Sequence, residues 1–171
     1  MTDLEESAIL ESVLRWETGK LTNHATDLGG LTKWGITWRT YSKWLKRTAT
    51  LADMQALTRD TAIRIYRAWY IRGPGFSLLK DATLAEMAVH WGVMSGPDDA
   101  ARGLQRIVGV AVDGVVGPVT AGAVNRATDP VAMRRMYRAE WERHCHDEVR
   151  RLPKQRANLK GWLNRIADIA K

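Results

Sequence analysis

The chain has 171 residues, 45% hydrophobic and 26% charged, which is enough for one domain with a proper core and argues against long disorder. Its formal charge of +7 favours polyanionic partners such as nucleic acid, anionic membrane surfaces or bacterial cell-wall polymers. One cysteine, Cys145, excludes an internal disulfide, and no apolar run approaches the length of a membrane span.

In chain order the pattern reads as helix almost throughout. The opening MTDLEESAIL is acidic and has no apolar h-region, so no secretory signal peptide is expected. A first helix is predicted from about Asp3 to Thr18, with Gly19 as its C-terminal cap. Thr37 is expected to cap a second helix through Lys46, and Thr58 a third through Ile71. The segment RGPGF at 72–76 breaks the chain. Leu84, Met87, Ala88 and Trp91 then recur at helical spacing on a segment ending near Met94.

After a turn at SGPDD, a helix is expected from about Asp98 to Val108. The loop GVAVDGVVGPVT follows, then a short helix after Thr120. Asp129-Pro130 opens a long helix to about Arg151, Pro153 ends it, and GWLNRIADIA forms the last helix. The fold class is mainly α, with at most a short β-hairpin near residues 21–36.

Glu17 stands out. Leu14, Val13 and Leu10 lie three, four and seven residues before it, so it falls on the apolar stripe of the first helix. Burial and the negative end of the helix dipole both favour a protonated carboxyl, the form a glycosidase uses to protonate a leaving oxygen. The alternative is a helix-end residue paired with Arg15 or Lys20. Asp27, ten residues on, offers the second carboxylate of such a pair. It is equally suited to an Asx-turn before Gly29-Gly30.

The sequence Glu17-Thr18-Gly19-Lys20, Asp27-Leu28-Gly29-Gly30, Gly35-Ile36-Thr37 resembles the E-G-G-Y, D-P-G-G and G-I-T signature of the glycoside hydrolase family 108 muramidases. Thr18 stands where that family has Gly, and Lys20 where it has Tyr. LQRIVGVAVDGVVGPVT, Leu104 to Thr120, resembles a peptidoglycan-binding motif. LPKQRANLKGWLNRI resembles the family's closing P-x-Q…G-W-x-x-R segment.

The resemblance implies a compact lysozyme-like helical domain, with residues 1–80 as the catalytic region and 81–171 as a helical peptidoglycan-binding-like region packed on it. It implies Glu17 as catalytic acid, with Asp27 a second catalytic candidate. Candidate substrate-binding residues are Trp34 for stacking on sugar, Thr37 as a water-positioning hydroxyl or simply a helix cap, and Tyr41. Asp113 joins them in a rigid DGVVGP loop that is either a structural turn alone or also presents groups to a glycan. Tyr137 shares a helix face with Met133 and Met136 that reads as core, and is a candidate only if its hydroxyl turns into the cleft.

No metal or other cofactor is expected. His144 and His146 sit two apart on a helix and so point away from each other. The expected partner is bacterial peptidoglycan. Nucleic acid is not, because Lys and Arg scatter over all the helices instead of forming one stripe. The implied protein is a monomer without membrane insertion, a phage endolysin made in the host cytoplasm and released to the wall through a holin pore. A non-catalytic peptidoglycan-binding module is the competing reading.

Overall fold

A computed structural model describes residues 1–22 and 30–170. Among these, nine α-helices and one two-stranded hairpin follow in the order α1 (Asp3–Trp16), β1 (Thr32–Lys33), β2 (Ile36–Thr37), α2 (Trp38–Leu45), α3 (Leu51–Ala56), α4 (Arg59–Tyr66), α5 (Ala82–Ser95), α6 (Pro97–Val108), α7 (Pro118–Asn125), α8 (Pro130–Arg151) and α9 (Arg156–Ile169). The mainly helical expectation holds, with differences at the ends of elements.

α1 begins with a full capping box, in which the Thr2 hydroxyl accepts from Glu5 N–H and Glu5 reaches back to the Thr2 backbone. It ends at Trp16, two residues earlier than expected. Glu17, not Gly19, is the cap, in extended conformation with its N–H on Val13 O at 3.2 Å. α3 was not expected. Its six residues are too few to show a period, but Thr50 and Asp53 close a second capping box around it. α4 starts at the Thr58 cap as expected and continues as a π-helical turn over Arg67–Arg72.

α7 starts at Pro118 with Gly117 as its cap, so Thr120, after which the helix was expected to begin, is an interior residue. α9 starts five residues ahead of Gly161, after a 3₁₀ turn at Pro153–Gln155.

α5 is the central post. Leu84, Ala85 and the run Met87–Gly92 are buried around its whole circumference, the pattern of a helix surrounded by others. It packs against α1, α6, α8, α9 and the π-helical turn. Trp91 on α5 stacks on Trp141 of α8 at 6.0 Å with planes 4° apart, and it also meets Tyr137 and His144. Gly103 on α6 admits this indole: a Cβ there would lie 2.5 Å from the Trp91 ring. The stack ties α5 to α8, with α6 close against it at Gly103.

Candidate active site

The end of α1 meets the hairpin. Lys33 pairs with Ile36, so Trp34 and Gly35 form a two-residue connection, and both have positive φ, 54° and 69°. That is the geometry of a type I′ turn. Trp34 is an unusual occupant of its first position and is held there by two hydrogen bonds. Its N–H donates to Thr18 O at 2.9 Å, and its carbonyl accepts from the Tyr66 hydroxyl at 2.8 Å. The indole lies over Gly19, where a Cβ would be 2.4 Å from the ring.

Gly35 is the point of closest approach. A Cβ there would be 2.3 Å from the Tyr66 hydroxyl and 2.6 Å from Glu17 Oε2. Oε2 of Glu17 therefore faces the turn, while Oε1 accepts from Arg165 Nη1 at 2.7 Å. The Glu17 side chain is 18% exposed, as its place on the apolar stripe implied. Tyr66 is wholly buried, and burial, reinforced by the Glu17 charge, raises its phenol well above the usual range. Tyr70, presented by the π-helical turn, packs edge-on to Tyr66 at 5.2 Å and is raised in the same way.

Arg165 is itself buried. Its Nε donates to His90 Nδ1 at 3.0 Å, and its guanidinium carbon lies 5.6 Å from the centre of the Trp16 ring. His90 is fully buried; burial, with Arg165 and Arg15 nearby, pushes its imidazole down to about 2, so it is neutral. Because Nδ1 accepts, the proton sits on Nε2, which donates to Ser12 Oγ at 3.1 Å. Arg15 Nη2 donates to the same oxygen at 3.1 Å, and Glu86 Oε1 stands 3.9 Å from His90 Nε2.

Glu17 and Arg165 open onto a cleft of ≈ 830 Å³. Trp16, Thr32, Gly35 and Thr37 line it from α1 and the hairpin, Val93 to Ser95 from the end of α5, and Glu148, Arg151, Asn158 and Trp162 from α8 and α9. Two further carboxylates, Asp99 and Glu148, reach the same cleft, and Glu148 is tied to Arg151 at 2.6 Å.

Of the residues expected to act together, Glu17 and Thr37 share the cleft. Thr37 also caps α2, accepting from Thr40 N–H at 3.1 Å. Asp27 and the loop residue His24 lie outside the described residues. Trp34 stands beside the site with its ring turned onto Gly19 and does not line the cleft. Tyr41 is buried in the core.

Tyr137 is a correction. It is fully buried, its hydroxyl donates to Ala100 O at 2.9 Å, and its ring packs on Trp91, so it reaches no cleft.

Asp113 also stands away from the cleft, and its loop has a structural explanation. The buried Gln105 donates through Nε2 to Asp113 Oδ1 at 2.6 Å and Val115 O at 3.0 Å, and accepts from Gly114 N–H at 2.9 Å. Thr120 Oγ1 lies 3.3 Å from the same Nε2. Gly114, at φ 87°, leaves no room for a Cβ beside Asp98. The Gln, Asp-Gly and Thr of the motif thus tie one loop to one helix.

Sequence reasoning missed Arg165, His90 and the tyrosine pair. Arg165 is the arginine that closes the G-W-x-x-R segment, which was the available signal.

A family model described as glycosyl hydrolase 108 matches residues 10–96, just over half of the chain, and one described as a predicted peptidoglycan domain matches residues 99–167. Among solved structures, one titled as the structure of Brucella abortus SagA is similar, with a TM-score of 0.86 at 28% identity, covering 99% of this chain and 93% of that one. No curated protein matches the chain. With its fold, cleft and matched segments in agreement, the chain belongs to the glycosyl hydrolase 108 family and is a lysozyme-like, peptidoglycan-degrading glycoside hydrolase.

Proposed function

We propose that the chain is an N-acetylmuramidase that hydrolyses the β-1,4 bond between N-acetylmuramic acid and N-acetylglucosamine, with Glu17 as general acid, and that it serves as a phage endolysin. The observation that carries this reading is the placement of Glu17 on the wall of the large cleft, with Oε1 engaged by Arg165 and Oε2 left toward the turn. In this reading the O–H bond on Oε2 breaks as the glycosidic oxygen takes the proton and leaves the anomeric carbon. Water adds to that carbon, directly or after a covalent intermediate, and leaves a reducing N-acetylmuramic acid end. Asp27 is the carboxylate proposed as base or nucleophile. Residues 1–80 form the catalytic region and 81–171 a peptidoglycan-binding-like region, packed as one monomeric unit.

The test is reducing-end release from purified peptidoglycan by wild type and Glu17→Gln, with products sized by mass spectrometry. Muropeptides ending in reducing N-acetylmuramic acid, lost in the variant, are expected. Reducing N-acetylglucosamine ends would overturn the bond assignment, and equal wall binding without new ends would overturn the mechanism.

The endolysin role is supported by the +7 charge, which suits an anionic wall, and by the absence among the described residues of any helix long and apolar enough to cross a membrane. Co-expression with and without a holin tests it. Lysis should require the holin, and lysis without one would contradict release through a holin pore.

A further inference from the structure

Glu17 and Ser12 leave the same helix, α1, and are joined again through two other helices. Glu17 meets Arg165 on α9, Arg165 meets His90 on α5, and His90 meets Ser12 back on α1. We propose that Arg165, braced from behind by His90, is a positioning residue that fixes which oxygen of Glu17 delivers the proton, and that α9 is thereby part of the catalytic unit and not only of a wall-binding region. The proposal rests on the reading of Glu17 as the acid.

The donor set supports it. Arg165 is 7% exposed, and Glu17 is its one ion-pair partner among the described residues. Its Nε goes to an uncharged imidazole, an acceptor that holds the guanidinium in plane without competing for its charge. Among the described residues its Nη2 is buried without a hydrogen-bond partner, and the guanidinium donates only to Glu17 and His90.

With Oε1 taken by Nη1, the proton of the acid form resides on Oε2, beside Gly35. When that proton passes to the glycosidic oxygen, the negative charge left on the carboxylate develops against a cation already in place, and nothing has to reorient. Lysine cannot replace this arrangement. A single ammonium has no fixed fork to meet a carboxylate and an imidazole at the same time.

The experiment is steady-state kinetics on purified peptidoglycan for wild type, Arg165→Lys, Arg165→Gln, His90→Leu and His90→Asn, with melting temperatures measured alongside. Misplacing a reacting group by about 1 Å costs on the order of 10²-fold, so both Arg165 variants should lose about that factor in kcat while KM stays within about threefold. His90→Leu should lose about tenfold, and His90→Asn, which keeps an acceptor near Nδ1, should recover most of it.

A purely structural role would lower melting temperatures without that rescue. The proposal is overturned if Arg165→Gln keeps kcat within about threefold of wild type, if only KM moves, or if His90→Asn is no better than His90→Leu at equal stability. Should the Arg165 variants fail to fold, the His90 pair decides alone. Wild type active, Glu17→Gln inactive and Arg165→Gln active would sink this proposal and spare the muramidase reading. A wild type that releases no reducing ends would sink both.

Discussion

Gly35→Ala introduces one methyl group at the tightest point of the site. The new Cβ would lie 2.3 Å from the Tyr66 hydroxyl and 2.6 Å from Glu17 Oε2, against an ordinary contact of 3.4 Å or more, so these neighbours must move by roughly 1 Å. Tyr66 is buried, and moving it breaks the 2.8 Å hydrogen bond that holds the Trp34 carbonyl, a loss of about 1 kcal/mol. Ala at φ 69° adds about 1–2 kcal/mol of left-handed strain.

A destabilisation of about 2–3 kcal/mol follows, which for this chain length lowers the melting temperature by roughly 4–12 °C. The same displacement of Oε2 should reduce kcat on the order of 10²-fold. The double variant Gly35→Ala/Tyr66→Phe separates the two effects. Removing the hydroxyl relieves one clash and should restore part of the stability, while Glu17 remains displaced and activity stays low. Thermal melts and reducing-end assays on the single and double variants measure both. If Gly35→Ala retained activity within about threefold and melted within about 1 °C of wild type, the close approach of the turn to Glu17 would be wrong.

Gln105→Ala should cost about 3 kcal/mol by orphaning the buried Gly114 N–H and the groups its amide serves, with faster hydrogen exchange over residues 110–117; unchanged exchange there would refute the clamp. His90 takes up a proton in the unfolded chain near pH 6.5 but, buried, only at about 2 in the folded one, so the unfolded state binds more protons between these values. Stability should therefore fall as pH drops below about 6.5, by up to about 1.4 kcal/mol per unit, and denaturant titrations of wild type and His90→Asn at pH 6.5 and 5.0 should show a shallower loss in the variant. Cys145 is buried, and burial pushes its thiol up to about 12, so a thiol reagent should leave the native protein unlabelled at pH 8 and label it fully in denaturant.

The carboxylate at the end of α1 was legible because three apolar residues at helical spacing precede it, and a residue on a stripe is placed by the helix itself. Spacing alone could not place the Tyr137 hydroxyl. A helix face meets either core or cleft, and only the partner Trp91 decides which. The orientation of Trp34 was hidden for a different reason. Its sequence context reads as an aromatic wall, whereas the positive φ at two successive positions turns the ring back over Gly19.

The DGVVGP loop is tied to α6 by Gln105, which in one dimension looks like a surface residue of that helix. Arg165 lay in a recognised segment, but its pairing with Glu17 spans 148 residues and leaves no periodic trace.

That span has a consequence for how the protein comes into being. A chain leaving the ribosome presents Glu17 well before Arg165, 148 residues later, so the pair between them cannot form until α9 has emerged. Closing so long a loop carries a large entropy cost that only the late packing of α8 and α9 on α5 can offset. The Glu17–Arg165 pair is therefore among the last contacts of the cleft to form during synthesis.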